Sequence, residues 1–128
     1  MNTAFDNEIK LKLLKLLEDK PELTQREMNL KMGVSLGKIN YCLSALAEKG
    51  MIRVERFKNH NKRTAYLYRL THKGFEELSN LTMEFLKLKI EEYDQIRIEI
   101  KRLTVQMDKI NPDLYEQSDL VSEVKKRI

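Results

Sequence analysis

Seven basic side chains, Arg53, Arg56, Lys58, Lys62, Arg63, Arg69 and Lys73, fall within residues 53–73 against a single acid, Glu55, for a net charge of +6. Clustered cations of this kind attract phosphates and other polyanions. Charge alone fits a solvated basic loop equally well. The positive charge is local, because residues 1–52 carry +1 and residues 74–128 carry −3, within a chain total of +4. Bond-making chemistry is poorly provided for. His60 and His72 have no Cys or His at ligand spacing, so neither a metal nor another cofactor is expected. No nucleophile–base pattern, phosphate-binding Gly loop or dinucleotide turn is present, and the chain does not read as an enzyme.

The elements around this cluster are legible. Ile9, Leu13, Leu16 and Leu17 follow helical spacing over 5–17, closed by Pro21. Thr24-Gln-Arg-Glu27 has capping-box spacing for a second helix, with Met28 and Met32 inward and Gly33 at its C-terminal cap. Ser35 is the next N-cap candidate, and the stripe Ile39, Cys42, Leu43 and Leu46 carries a third helix to about Lys49. Cys42 lies on the inward stripe and reads as a small core residue in preference to a redox sensor. Residues 51–54 and 65–70 read as short strands, and the segment 56–63 between them as a hairpin with a basic tip. The predicted fold is mainly α with a small β-hairpin wing: a winged helix-turn-helix followed by a long coiled-coil-like helix.

Gly33-Val-Ser-Leu-Gly-Lys-Ile-Asn-Tyr-Cys-Leu43, with Thr24-Gln-Arg-Glu27 before it and Leu46-Ala-Glu-Lys-Gly50 after it, resembles the MarR-type winged-helix regulators, and within them the subgroup associated with exopolysaccharide loci. The resemblance covers about residues 7–80. It implies a repressor or activator of transcription acting on operator DNA near polysaccharide genes. The pattern departs at Asn29, where such motifs usually carry a small residue.

With the Ile39–Leu46 stripe turned inward, Gly37, Tyr41, Ser44 and Glu48 turn outward, flanked by Lys38 and Asn40. The residues expected to meet double-stranded DNA are therefore Ser35, Gly37, Lys38, Asn40, Tyr41 and Ser44 on the recognition helix. Asn40 suits an adenine edge, Lys38 a guanine or phosphate, and Tyr41 a phosphate or a thymine methyl, while Gly37 permits close approach. Gln25 and Arg26 stand at a helix start, where phosphates bind readily. Lys58, Asn59, His60, Lys62 and Arg63 form the wing contacts.

A fourth helix opens near Thr71 and continues without Gly or Pro after Gly74 to Ile110, where Asn111-Pro112 stops it. Leu78, Leu81, Phe85 and Leu88, then Ile96, Ile100, Leu103, Met107 and Ile110, are spaced in heptad-like steps, with a phase slip near Glu92. Residues 1–74 form the expected DNA-binding domain and 75–128 a dimerisation region. Its interface would be Phe85, Leu88, Ile96, Ile100, Leu103, Met107 and Ile110 in a homodimer. Residues 114–124 folding back over the stripe are the intrachain alternative. No run of apolar residues suits a membrane span and no secretory signal is evident, so a cytoplasmic protein is expected. These residues imply no particular small-molecule effector. The competing reading is a protein–protein interaction module with a coiled-coil scaffold.

Overall fold

The structure, a computed structural model, describes residues 3–58 and 60–127. It divides into two compact units, Met1–Met83 and Glu84–Ile128.

In the first unit, α1 (Thr3–Asp19), α2 (Gln25–Met32) and α3 (Leu36–Glu48) precede the strands β1 (Ile52–Lys58) and β2 (Thr64–Leu70), and the first turns of α4 (His72–Ile110) follow. Leu13, Leu14 and Leu17 of α1, Met28 of α2, Ile39, Leu43 and Leu46 of α3, Tyr68 of β2 and Leu81 of α4 share one core. Burying each aliphatic side chain contributes roughly 1.5–3 kcal/mol, so the helical stripes set which faces meet. Cys42 is half-buried against this core. Burial raises its thiol pKa, outweighing the nearby Lys38 charge, and makes the sulfur a poor nucleophile.

The turn between α2 and α3 is built by local bonds. Gly33 adopts φ 66°, ψ 26° and its N–H bonds the Asn29 carbonyl. A residue with a Cβ is disfavoured in this left-handed conformation. Asn29, where a small residue was expected, donates its side-chain amide to the Val34 carbonyl. The larger side chain thus closes the turn.

The hairpin is longer than its apolar pattern suggests. Antiparallel pairing runs from Ile52↔Leu70 to Lys58↔Thr64, so Arg56, Phe57 and Lys58 belong to β1 and not to the tip. Backbone ladder bonds do not require alternating apolar side chains, and these outer residues are largely solvent-exposed. At the other end, Thr71 anchors α4: its hydroxyl donates to the Gly50 carbonyl at 2.6 Å and accepts the Gly74 N–H at 3.2 Å. Gly74 is buried so close to Met51 that a Cβ would lie 2.1 Å from the Met51 carbonyl oxygen.

In the second unit, the remainder of α4 is followed by α5 (Pro112–Glu116) and α6 (Leu120–Arg127). Asn111 caps α5 through its side-chain oxygen, with Pro112 in the first turn. The segment after α4 forms two short helices, because Gln117 ends α5 and the Ser118 hydroxyl turns back to the Tyr115 carbonyl. The last turns of α4 and helix α6 line an apolar groove of about 560 Å³, with Ile100, Leu103, Met107 and Ile110 on one wall and Leu120 and Val124 on the other.

Candidate nucleic-acid interface

Helix α2 begins with a complete capping box. The Thr24 hydroxyl accepts the Glu27 N–H, and the Glu27 carboxylate accepts the Thr24 N–H, both at 3.1 Å. The Thr24 backbone N–H, and after it the Thr24 hydroxyl, which donates to the same carboxylate at 3.0 Å, hold the Glu27 carboxyl below its ordinary range. Anionic Glu27 therefore already occupies the helix start at which Gln25 and Arg26 were expected to receive phosphate. Arg26 is exposed, but Gln25 is half-buried and its amide is engaged within the protein.

Ser35 caps α3, its hydroxyl accepting the Lys38 N–H at 3.1 Å. Gly37, Asn40, Tyr41 and Ser44 are exposed, as the helical phase requires. A Cβ on Gly37 would meet nothing within 4 Å, so no packing inside the chain asks for glycine there. Tyr41 is 58% exposed. Lys38 is placed differently from its neighbours. Its ammonium pairs with Asp6 of α1 at 3.1 Å and lies 5.3 Å from the centre of the Tyr41 ring. The hydrogen bond to Asp6 raises the Lys38 pKa.

Asn40 donates its amide to the Gln25 carbonyl oxygen at 3.4 Å, and the Gln25 amide donates to the Tyr68 hydroxyl at 3.3 Å. Tyr68 is itself buried, stacks on Tyr66 with ring centres 6.2 Å apart, and donates its backbone N–H to the Pro21 carbonyl. The three elements α3, α2 and β2 thus meet in one polar chain. Neither this role of Gln25 nor Tyr68 was visible in the sequence, since the partners are 15 and 43 residues apart.

On the hairpin, Glu55 takes both Arg53 and Arg69, at 3.5 and 3.3 Å, which offsets the repulsion of two arginines that oppose each other across the strands. Lys58, His60, Lys62 and Arg63 are exposed at or beside the tip, and Lys62 holds a left-handed φ of 60°. Asn59 lies outside the described residues.

A family model for winged helix-turn-helix DNA-binding domains matches residues 6–53. The fold is a winged helix-turn-helix. In these terms α3 occupies the recognition-helix position and the β1–β2 hairpin is the wing. Solved structures agree. A Streptococcus transcriptional regulator is similar at 15% identity with a TM-score of 0.61, over 72% of this chain and 97% of that one. The zinc-dependent MarR family regulator AdcR, solved with Zn(II), is similar at 21% identity and a TM-score of 0.51, over 87% and 79%. MarR of Staphylococcus aureus, solved with salicylate and kanamycin, is similar at 18% identity and a TM-score of 0.52, over 85% and 73%. No curated protein matches the sequence. Among the described residues, no three or more His, Cys, Asp or Glu side chains are grouped to hold a metal. No helix among them is long and apolar enough to cross a membrane.

The expected interface residues on α4 differ in exposure. Leu88, Ile96, Leu103 and Ile110 are exposed, Ile110 by 68%, while Phe85, Ile100 and Met107 are half-buried. Further apolar residues that the heptad reading left aside, Ile90, Ile98 and Val105, are also exposed and lie on the other side of the helix.

Proposed function

We propose that the chain is a sequence-specific regulator of transcription that binds double-stranded DNA as a homodimer. The observation that carries this reading is the exposed polar face of α3, residues Gly37, Asn40, Tyr41 and Ser44, in one winged unit with the exposed basic tip of the wing. The recognition helix reads base edges from its N-terminal half, and Lys58, His60, Lys62 and Arg63 contact backbone or minor groove. Residues 1–74 carry DNA binding and residues 75–128 dimerisation.

Apolar side chains on α4 support pairing of two chains through Phe85, Leu88, Ile96, Ile100, Leu103, Met107 and Ile110. Those that are exposed gain roughly 1.5–3 kcal/mol each on full burial, which favours association. Two-fold pairing presents two recognition helices, so the operator is an inverted repeat with half-sites about one helical turn apart. The resemblance of residues 33–43 to the exopolysaccharide-associated MarR subgroup supports polysaccharide-synthesis genes as the target of a regulator acting in the cytoplasm.

Binding to a pool of genomic fragments, followed by sequencing of the retained DNA, tests the reading. The expected result is one enriched inverted repeat and an affinity that falls about tenfold or more for a several-fold rise in salt. Failure to bind the pool at low salt would overturn it.

A further inference from the structure

We infer that Gln25, held by Tyr68, is a specificity-determining residue: it fixes the amide of Asn40 in the orientation that selects adenine. The inference rests on the DNA-binding reading above and deepens it, because the residue that sets the base preference does not itself have to touch the base.

The argument is one of hydrogen-bond polarity. Tyr68 is 5% exposed, and its place is fixed by ring stacking on Tyr66 and a backbone bond to Pro21. Its hydroxyl accepts the Gln25 amide N–H, and the Gln25 carbonyl oxygen faces α3. That oxygen accepts one N–H of Asn40. An asparagine amide has two N–H donors and one carbonyl acceptor. With one donor held by Gln25, Asn40 keeps one donor and its acceptor. An adenine edge requires this pair, offering N7 as acceptor and the N6 amino group as donor. A guanine edge offers two acceptors, N7 and O6, and would leave the Asn40 carbonyl unsatisfied. Unheld, the exposed Asn40 side chain could rotate and present its two groups in reverse. Gln25 therefore contributes preorganisation, and the wing strand, through Tyr68, sets the geometry of the recognition helix.

The experiment is binding-site selection on the full-length wild type and on Asn40→Ala, Gln25→Ala, Gln25→Glu and Tyr68→Phe, with thermal unfolding as the check on folding. Asn40→Ala abolishes an adenine preference at one position of each half-site. Gln25→Ala weakens that same preference by about 2- to 10-fold, the worth of one hydrogen bond, and leaves the other positions unchanged. Tyr68→Phe acts at the same position by a smaller factor. Adding Gln25→Ala to Asn40→Ala causes no further change there, because the two act as one unit. Gln25→Glu distinguishes positioning from contact. A carboxylate can accept from both the Tyr68 hydroxyl and the Asn40 amide, so the adenine preference survives while affinity falls for all sequences through repulsion of phosphate. A wild-type motif that Gln25→Ala leaves intact, or a loss at that position equal in Gln25→Glu and Gln25→Ala, overturns the inference and leaves the DNA-binding reading standing. A wild type that selects no motif overturns both.

Discussion

The Lys38 ammonium lies 3.1 Å from the Asp6 carboxylate and ties the start of the recognition helix to α1. This pair withholds from the DNA face a cation that helical phase alone would have offered to it. Replacing Asp6 by Asn releases the ammonium. Affinity for all DNA should rise, and the slope of log affinity against log salt should steepen by about one unit if Lys38 then reaches a phosphate. Titration of binding at several salt concentrations measures both.

The same pair has a signature in alkali. The Lys38 pKa is raised above its ordinary 10.5. Its contribution to stability is therefore fully present below 10.5 and is lost as pH rises through the higher folded value. Glu27 behaves in the opposite sense, because its carboxyl is held below the ordinary 4.5 by the Thr24 bonds. Its contribution is present above 4.5 and is lost as pH falls through the lower folded value. Asp6→Asn should flatten the alkaline limb of a stability–pH profile and Glu27→Gln the acid limb, each leaving the other limb in place. Thr24→Ala, which removes the cap itself, should cost about 1 kcal/mol near neutral pH.

Two glycines should respond oppositely to alanine. At Gly74 the new Cβ would lie 2.1 Å from the Met51 carbonyl oxygen, so Gly74→Ala forces α4 away from the α3–β1 junction and should cost about 1–3 kcal/mol or more. At Gly37 nothing stands within 4 Å, and Gly37→Ala should fold at least as well as the wild type. If the helix lies as close to the groove as proposed, the same change weakens DNA binding. Chemical denaturation and a binding titration on the two variants separate packing from recognition.

Lys62 sits at the wing tip with φ 60°. Lys62→Ala and Lys62→Gly remove the same charge and should lower DNA affinity equally and without regard to sequence. They should differ in stability, the glycine variant being favoured by about 1 kcal/mol because it meets no Cβ penalty in the left-handed region. Equal unfolding midpoints for the two would contradict that account of the tip.

Ile100 and Leu103 stand together on α4, and both line the groove shared with α6. Replacing both by Asp places charges on the proposed dimer stripe and should convert a dimer to a monomer in sedimentation, with loss of tight binding to a two-half-site operator. Binding to a single half-site at low salt should persist, because the core of the winged unit does not include these residues. A wild type that sediments as a monomer at micromolar concentration would defeat the pairing.

The features legible in the sequence are those made by neighbours. The Thr24–Glu27 box, the Ser35 cap and the left-handed Gly33 each close over a few residues, and their chemistry is written in adjacent letters. The outward phase of Gly37, Tyr41 and Ser44 followed from the apolar stripe beside them in the same way. Only the tertiary structure decided where the flanking and long polar side chains turn. Lys38 finds Asp6 across 32 positions, Gln25 finds Tyr68 across 43, and Gly74 packs on Met51, because helix crossings and strand register bring these groups together. Register also extended the wing through Arg56 and Lys58, since backbone ladders form without the apolar alternation by which a strand is recognised in sequence. Spacing along the chain carries no record of a contact whose two halves belong to different elements. A side chain long enough to reach several partners takes the one that packing brings within hydrogen-bond distance.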